Sequence, residues 1–130
     1  MGTTYTIRSM KSDLSIDVDF FIEQLKKTWF NVKIYQTDSE AHPRLQWDFD
    51  TDEGGNISGH LYQAGASFRV FENKSIGIFA RWVRSIIPPE YDLVLYENDL
   101  SHHPIELHDA ITYEEIEAGF HVPFDISKYK

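Results

Sequence analysis

Leu45-Gln46-Trp47-Asp48-Phe49-Asp50-Thr51-Asp52 alternates with a period of two. Leu45, Trp47 and Phe49 therefore share one face of a strand, and Asp48, Asp50 and Asp52 share the other. A segment of this kind belongs in a sheet with one face covered by other elements and one face in water. Glu53-Gly54-Gly55-Asn56 supplies residues that tolerate positive φ, and Ile57, Gly59 and Leu61 resume the alternation, so the pair reads as a β-hairpin. Ser58, His60 and Tyr62 fall on the aspartate face. Gly65 marks a second turn, and Ala66, Phe68 and Val70 continue as a third meandering strand.

The flanking segments supply the cover. Residues 4–10 alternate as a short strand, with Tyr5, Ile7 and Ser9 on one side. Val18, Phe21, Ile22, Leu25 and Trp29 fall at helical spacing, with Asp17 or Ser15 as N-cap and Asn31 as the stop. Val32 to Tyr35 reads as a strand. A second helical stripe, Ile76, Phe79, Ala80, Val83, Ile86 and Ile87, leaves Arg81 and Arg84 off it and is stopped by Pro88-Pro89. Tyr91 to Glu97 is apolar on both sides, as expected of an interior strand, and Ile105 to His108 forms a short one. Thr112-Tyr113-Glu114-Glu115 is a capping box opening a short helix to Gly119. The expected fold is α+β: a mainly antiparallel twisted sheet of about six to seven strands, with two main helices and one short C-terminal helix packed on one face. Residues 1–130 are expected to form a single domain, with 121–130 as an extended C-terminal tail.

Charge narrows the partners. Twenty-one Asp and Glu against 12 Lys and Arg give a formal charge of −9 over 130 residues. That balance disfavours nucleic-acid phosphate and anionic membrane surfaces, both of which recruit Lys and Arg. Cysteine is absent, which removes disulfides, thiolate metal sites and cysteine nucleophiles. No stretch approaches the roughly 20 apolar residues that span a bilayer, so a soluble, cytoplasmic protein is expected.

Two constellations invite chemistry. Asp48, Asp50 and Asp52 recur like the first ligands of a calcium loop, but neither frame places Glu at the twelfth position, and the flanks read as strands. An acidic hairpin is the better reading. In His102-His103-Pro104-Ile105-Glu106-Leu107-His108, Glu106 and His108 point the same way on a strand, and with His102 or His103 they form a candidate divalent-metal site. No other cofactor is implied. Asp50 and His60 would face each other across a three-residue turn and offer an acid–base pair, although a simple ion pair is the plainer reading. No nucleophile elbow, phosphate loop or dinucleotide fingerprint occurs, so a non-enzymatic role is preferred.

Trp82, beside Arg81 on the flank of its helix, and Tyr62, on the aspartate face, are candidate contact residues, since Tyr and Trp are enriched in interface hot spots. With Asp48, Asp50, Asp52 and Glu53 they make a candidate surface for a basic protein partner. In size, acidity, lack of cysteine and aromatic content, and in Tyr91-Asp92-Leu93-Val94-Leu95-Tyr96 followed by Ile105-Glu106-Leu107, the chain resembles small acidic α+β proteins of bacteria, immunity proteins among them. That resemblance implies an inhibitor that neutralises a basic toxin by direct binding. The alternative is a metal- or small-ligand-binding domain, or an enzyme, centred on the His102–His108 loop. A homo-oligomer formed through the aromatic tail or an edge strand is a further expectation.

Overall fold

The computed structural model describes residues 3–11, 16–29, 31–36, 45–50, 56–61, 67–72, 76–98 and 102–124. Its strands are β1 (Thr3–Arg8), β2 (Lys33–Gln36), β3 (Leu45–Asp50), β4 (Asn56–Leu61), β5 (Ser67–Glu72), β6 (Val94–Glu97) and β7 (Ile105–Glu106). The helices among the described residues are α1 (Val18–Thr28), α2 (Ile76–Ile86) and α3 (Tyr113–Gly119). The α+β class is as expected. Hydrogen-bonded neighbours run β2-β3-β4-β5-β1-β6-β7, and every pairing is antiparallel. β1 is fifth in this order and pairs Tyr5 with Val70 of β5 on one side and Ile7 with Leu95 of β6 on the other.

Period-two patterning sorts the strands into faces as the sequence requires. Leu45, Trp47 and Phe49 are buried, as are Ile57 and Leu61, Phe68 and Val70, and Ile7 and Leu95. Helices α1 and α2 lie on this side. Phe21 of α1 meets Trp47 and Phe68, each with centroids 5.2 Å away, while Phe79 of α2 meets Trp47 at 5.6 Å and Phe49 at 6.2 Å. These offset and edge contacts are the geometry that ring quadrupoles prefer. The two helices join through Trp82, which sits 5.6 Å from Phe21 and 4.7 Å from Trp29 and donates its indole N–H to Thr28 Oγ1 at 3.0 Å. The buried indole N–H of Trp47, by contrast, finds no acceptor among the described residues.

Local signals behave unevenly. Thr112 and Glu115 form the full reciprocal capping box. Asp17 occupies the N-cap of α1 without a side-chain cap bond, and the helix ends at Thr28, before Asn31. Glycine at position 77 has a clear reason: a Cβ there would lie 2.8 Å from Tyr113 Cε2, so the bare backbone lets α3 settle on α2.

Candidate functional site

β6 explains its two-sided apolar sequence in an unexpected way. Leu95 turns into the core, whereas half-buried Val94 and Tyr96 line a cleft of about 920 Å³ that Leu93 also borders. β6 is interior as expected, paired with β1 and β7, and next to last in the strand order; its second apolar face lines the cleft. Met10 and Lys11 beyond β1, residues 103–104 and 106–109 around β7, and Phe124 form further walls. Asp92 holds the first of these in place: its carboxylate accepts from Ser9 Oγ at 2.5 Å and from the backbone N–H groups of Met10 at 2.8 Å and Lys11 at 3.2 Å. The His103 N–H donates to the Val122 carbonyl at 2.8 Å, and the Phe124 ring lies 6.0 Å from that of His103. These contacts anchor the start of the expected tail; residues 125–130 lie outside the described ones.

Arg84 is the residue that sequence reasoning missed. It falls off the apolar stripe in the helical reading, yet it is only 4% exposed and lines the cleft. Pro88-Pro89 ends α2 abruptly and leaves carbonyls that the helix cannot satisfy. The guanidinium donates to four carbonyl oxygens, those of Ile87, Pro88, Tyr91 and Leu107, at 2.8–3.0 Å. One side chain thus ties the end of α2 to the entry of β6 and the exit of β7. Burial holds the Arg84 pKa below its usual value, and the charges of Asp109 and Asp92 pull it back upward. The available signal was Arg84 lying four residues before Pro88, within reach of the last carbonyls.

The histidine loop is split by burial. His102 is 2% exposed, its Nδ1 donates to the His103 carbonyl at 2.9 Å, and its ring meets Phe120 edge-on at 5.0 Å. His103, Glu106 and His108 line the cleft. His108 has Nδ1 at 2.9 Å from the Asp109 carbonyl and Nε2 at 2.8 Å from Glu115 Oε2. Both partners can only accept, so the imidazolium, which carries two donors, fits this site best. The Asp109 carbonyl and then the Glu115 carboxylate raise the His108 pKa above 6.5. His108 and then the Thr112 backbone N–H lower that of Glu115. Among the described residues, no group of three or more His, Asp or Glu is placed to hold a metal ion.

A pH dependence follows from the signs of these shifts. The raised His108 pKa gives stabilisation that is complete below the unfolded histidine pKa and lost as pH rises through the folded one. The lowered Glu115 pKa gives stabilisation present above the unfolded glutamate pKa and lost as pH falls through the folded one. A double-mutant cycle of His108→Ala and Glu115→Ala, followed between about pH 5 and about pH 9, should show coupling in the acid half that fades towards alkaline pH. Coupling of equal size at both ends would contradict the charged pair.

On the hairpin, Asn56 Nδ2 donates to Asp48 Oδ1 at 3.0 Å, Asp50 Oδ1 at 3.1 Å and the Phe49 carbonyl at 3.2 Å. One carboxamide holds two acids on one edge of the strand pair. The expected Asp50–His60 pairing is corrected by the register, in which Asp50 faces Asn56 and His60 faces Gln46. The pairing is centred two positions earlier than the Asp50–His60 register requires, which moves every partner of β3 along β4. Asp52, Glu53 and Tyr62 lie outside the described residues. Trp82 is half-buried within the α1–α2 aromatic contacts, away from the acidic strand face. No described helix is long and apolar enough to cross a membrane. Comparison with protein-family models, with curated proteins and with solved structures finds no match.

Proposed function

We propose that the chain is a non-enzymatic binding domain whose ligand seats in the cleft beside β6 and β7. The observation that carries this reading is the cleft itself: about 920 Å³, with Val94, Tyr96, Leu107 and Phe124 beside polar Lys11, Glu106 and His108. Its size is that of pockets that bury most of a small ligand, and the mixture of apolar wall and few polar groups is what such sites use. The uncharged dye Nile red tests it. Its fluorescence should rise on adding the native protein, and Val94→Lys, placed on the cleft side of the sheet, should remove most of that rise while keeping the melting temperature within a few degrees. Undiminished fluorescence in the folded variant would show that the dye, and the binding surface, lie elsewhere.

A second reading is a basic protein partner captured on the acidic strand face, in the manner of an immunity protein. Asn56 favours it, because the carboxamide holds Asp48 and Asp50 together and reduces the side-chain freedom lost on binding.

A further inference from the structure

We propose that the cleft takes a basic peptide segment, with lysine or arginine side chains against Glu106 and Asp109 and apolar side chains against Val94, Tyr96 and Phe124. The proposal rests on the cleft being the binding site and adds the class of its occupant.

Charge is the first argument. With His108 as the imidazolium, the charges lining the cleft are Lys11, Arg84 and His108 against Asp92, Glu106 and Asp109, three against three. They are not equally available, and His108 is held by the Asp109 carbonyl and by Glu115. Arg84 has both terminal nitrogens bound to carbonyls, and its unpartnered Nε is buried out of reach of a ligand. Asp92 is occupied by Ser9, Met10 and Lys11. Glu106 and Asp109 are exposed, and neither carboxylate accepts a hydrogen bond from a described residue. The acceptors left open outnumber the one open cation, Lys11. The wider field agrees, since a chain of charge −9 draws cationic partners towards it.

The walls supply the second argument. Lys and Arg carry apolar stems that lie along apolar surface while the charged head reaches polar groups, and both heads are attracted to aromatic faces. Tyr91, Tyr96 and Phe124 border the same space as the open carboxylates. A cavity of about 920 Å³ is larger than one side chain fills, which favours a segment of several residues over a single amine.

The test uses three capped pentapeptides, Lys-Leu-Arg-Leu-Lys, Gln-Leu-Gln-Leu-Gln and Glu-Leu-Glu-Leu-Glu, titrated into the full chain while backbone amide shifts are followed by NMR. The basic peptide should bind at least about tenfold more tightly than the neutral one, more weakly as salt is raised, and should move the resonances of Val94, Tyr96 and Glu106. Glu106→Gln combined with Asp109→Asn should remove that preference, so that the basic peptide binds no more tightly than the neutral one. Equal or tighter binding of the neutral or acidic peptide at these residues would overturn the cationic class and keep the cleft. Shifts confined to Asp48 and Asp50 would overturn it in favour of the hairpin face. No shift from any peptide, together with failure of the Nile red experiment, would remove the cleft as a binding site.

Discussion

Replacing Arg84 with Met should destabilise the fold by roughly 3–5 kcal/mol, read from urea unfolding monitored by circular dichroism. Methionine matches much of the apolar stem, so packing is largely kept. What is lost is the set of charge-assisted bonds to the carbonyls of Ile87, Pro88, Tyr91 and Leu107, which then stand beside a cleft without donors. Arg84→Lys separates charge from shape. A single ammonium cannot span acceptors on three chain segments as a planar fork does, so lysine should recover less than half of the loss. Full recovery by lysine would show that charge alone matters there, and a loss below about 1 kcal/mol in Arg84→Met would show that water replaces the guanidinium freely.

Phe79→Ala should have a comparable effect, roughly 3–5 kcal/mol, with the melting temperature falling by about 10–20 °C. Phe79 is fully buried and its ring lies within 6.2 Å of those of Trp29, Trp47, Phe49 and Trp82. Deleting it opens a cavity where α1, α2 and β3 meet, and rigid rings on several sides relax poorly into such a space. Phe79→Leu, which retains much of the volume, should lose less than half as much. Near-ultraviolet circular dichroism gives a second readout, because the ring pairs Trp29–Phe49 and Trp29–Trp82 should reorient when Phe79 is removed. A change of under 1 kcal/mol with an unaltered near-ultraviolet spectrum would contradict the central place given to this side chain.

The elements that local patterning could reveal were those whose signal is periodic or reciprocal. The alternation around Trp47 yields β3 and β4, the stripe from Ile76 yields α2, and Thr112 with Glu115 yields the start of α3. The site was less legible because its residues obey no local period. Glu106 and His108, two apart on a strand in the sequence reading, do line the cleft, but His102 of the same loop turns inward against Phe120. Adjacent residues in an irregular stretch take directions set by packing, which spacing does not report. A helical stripe treats any charged residue beside it, Arg84 included, as solvated, and only the prolines that follow explain the opposite outcome. The Asp50–Asn56 register depends on where the turn is centred, which Gly54-Gly55 leaves open.

The position of β1 bears on how the chain assembles. Although it comes first in sequence, its two neighbours are residues 67–72 and 94–97, so each of its ladders closes a loop of roughly 60 to 90 residues. During synthesis, at about 5–20 residues per second, β1 waits for several seconds before β5 has emerged, and longer for β6. The meander of β3, β4 and β5 can form from local turns in that interval, whereas β6 and β7 join it through β1. Non-local closure of this kind slows folding, and the strand that stitches the two sides together spends the longest time with both of its edges open.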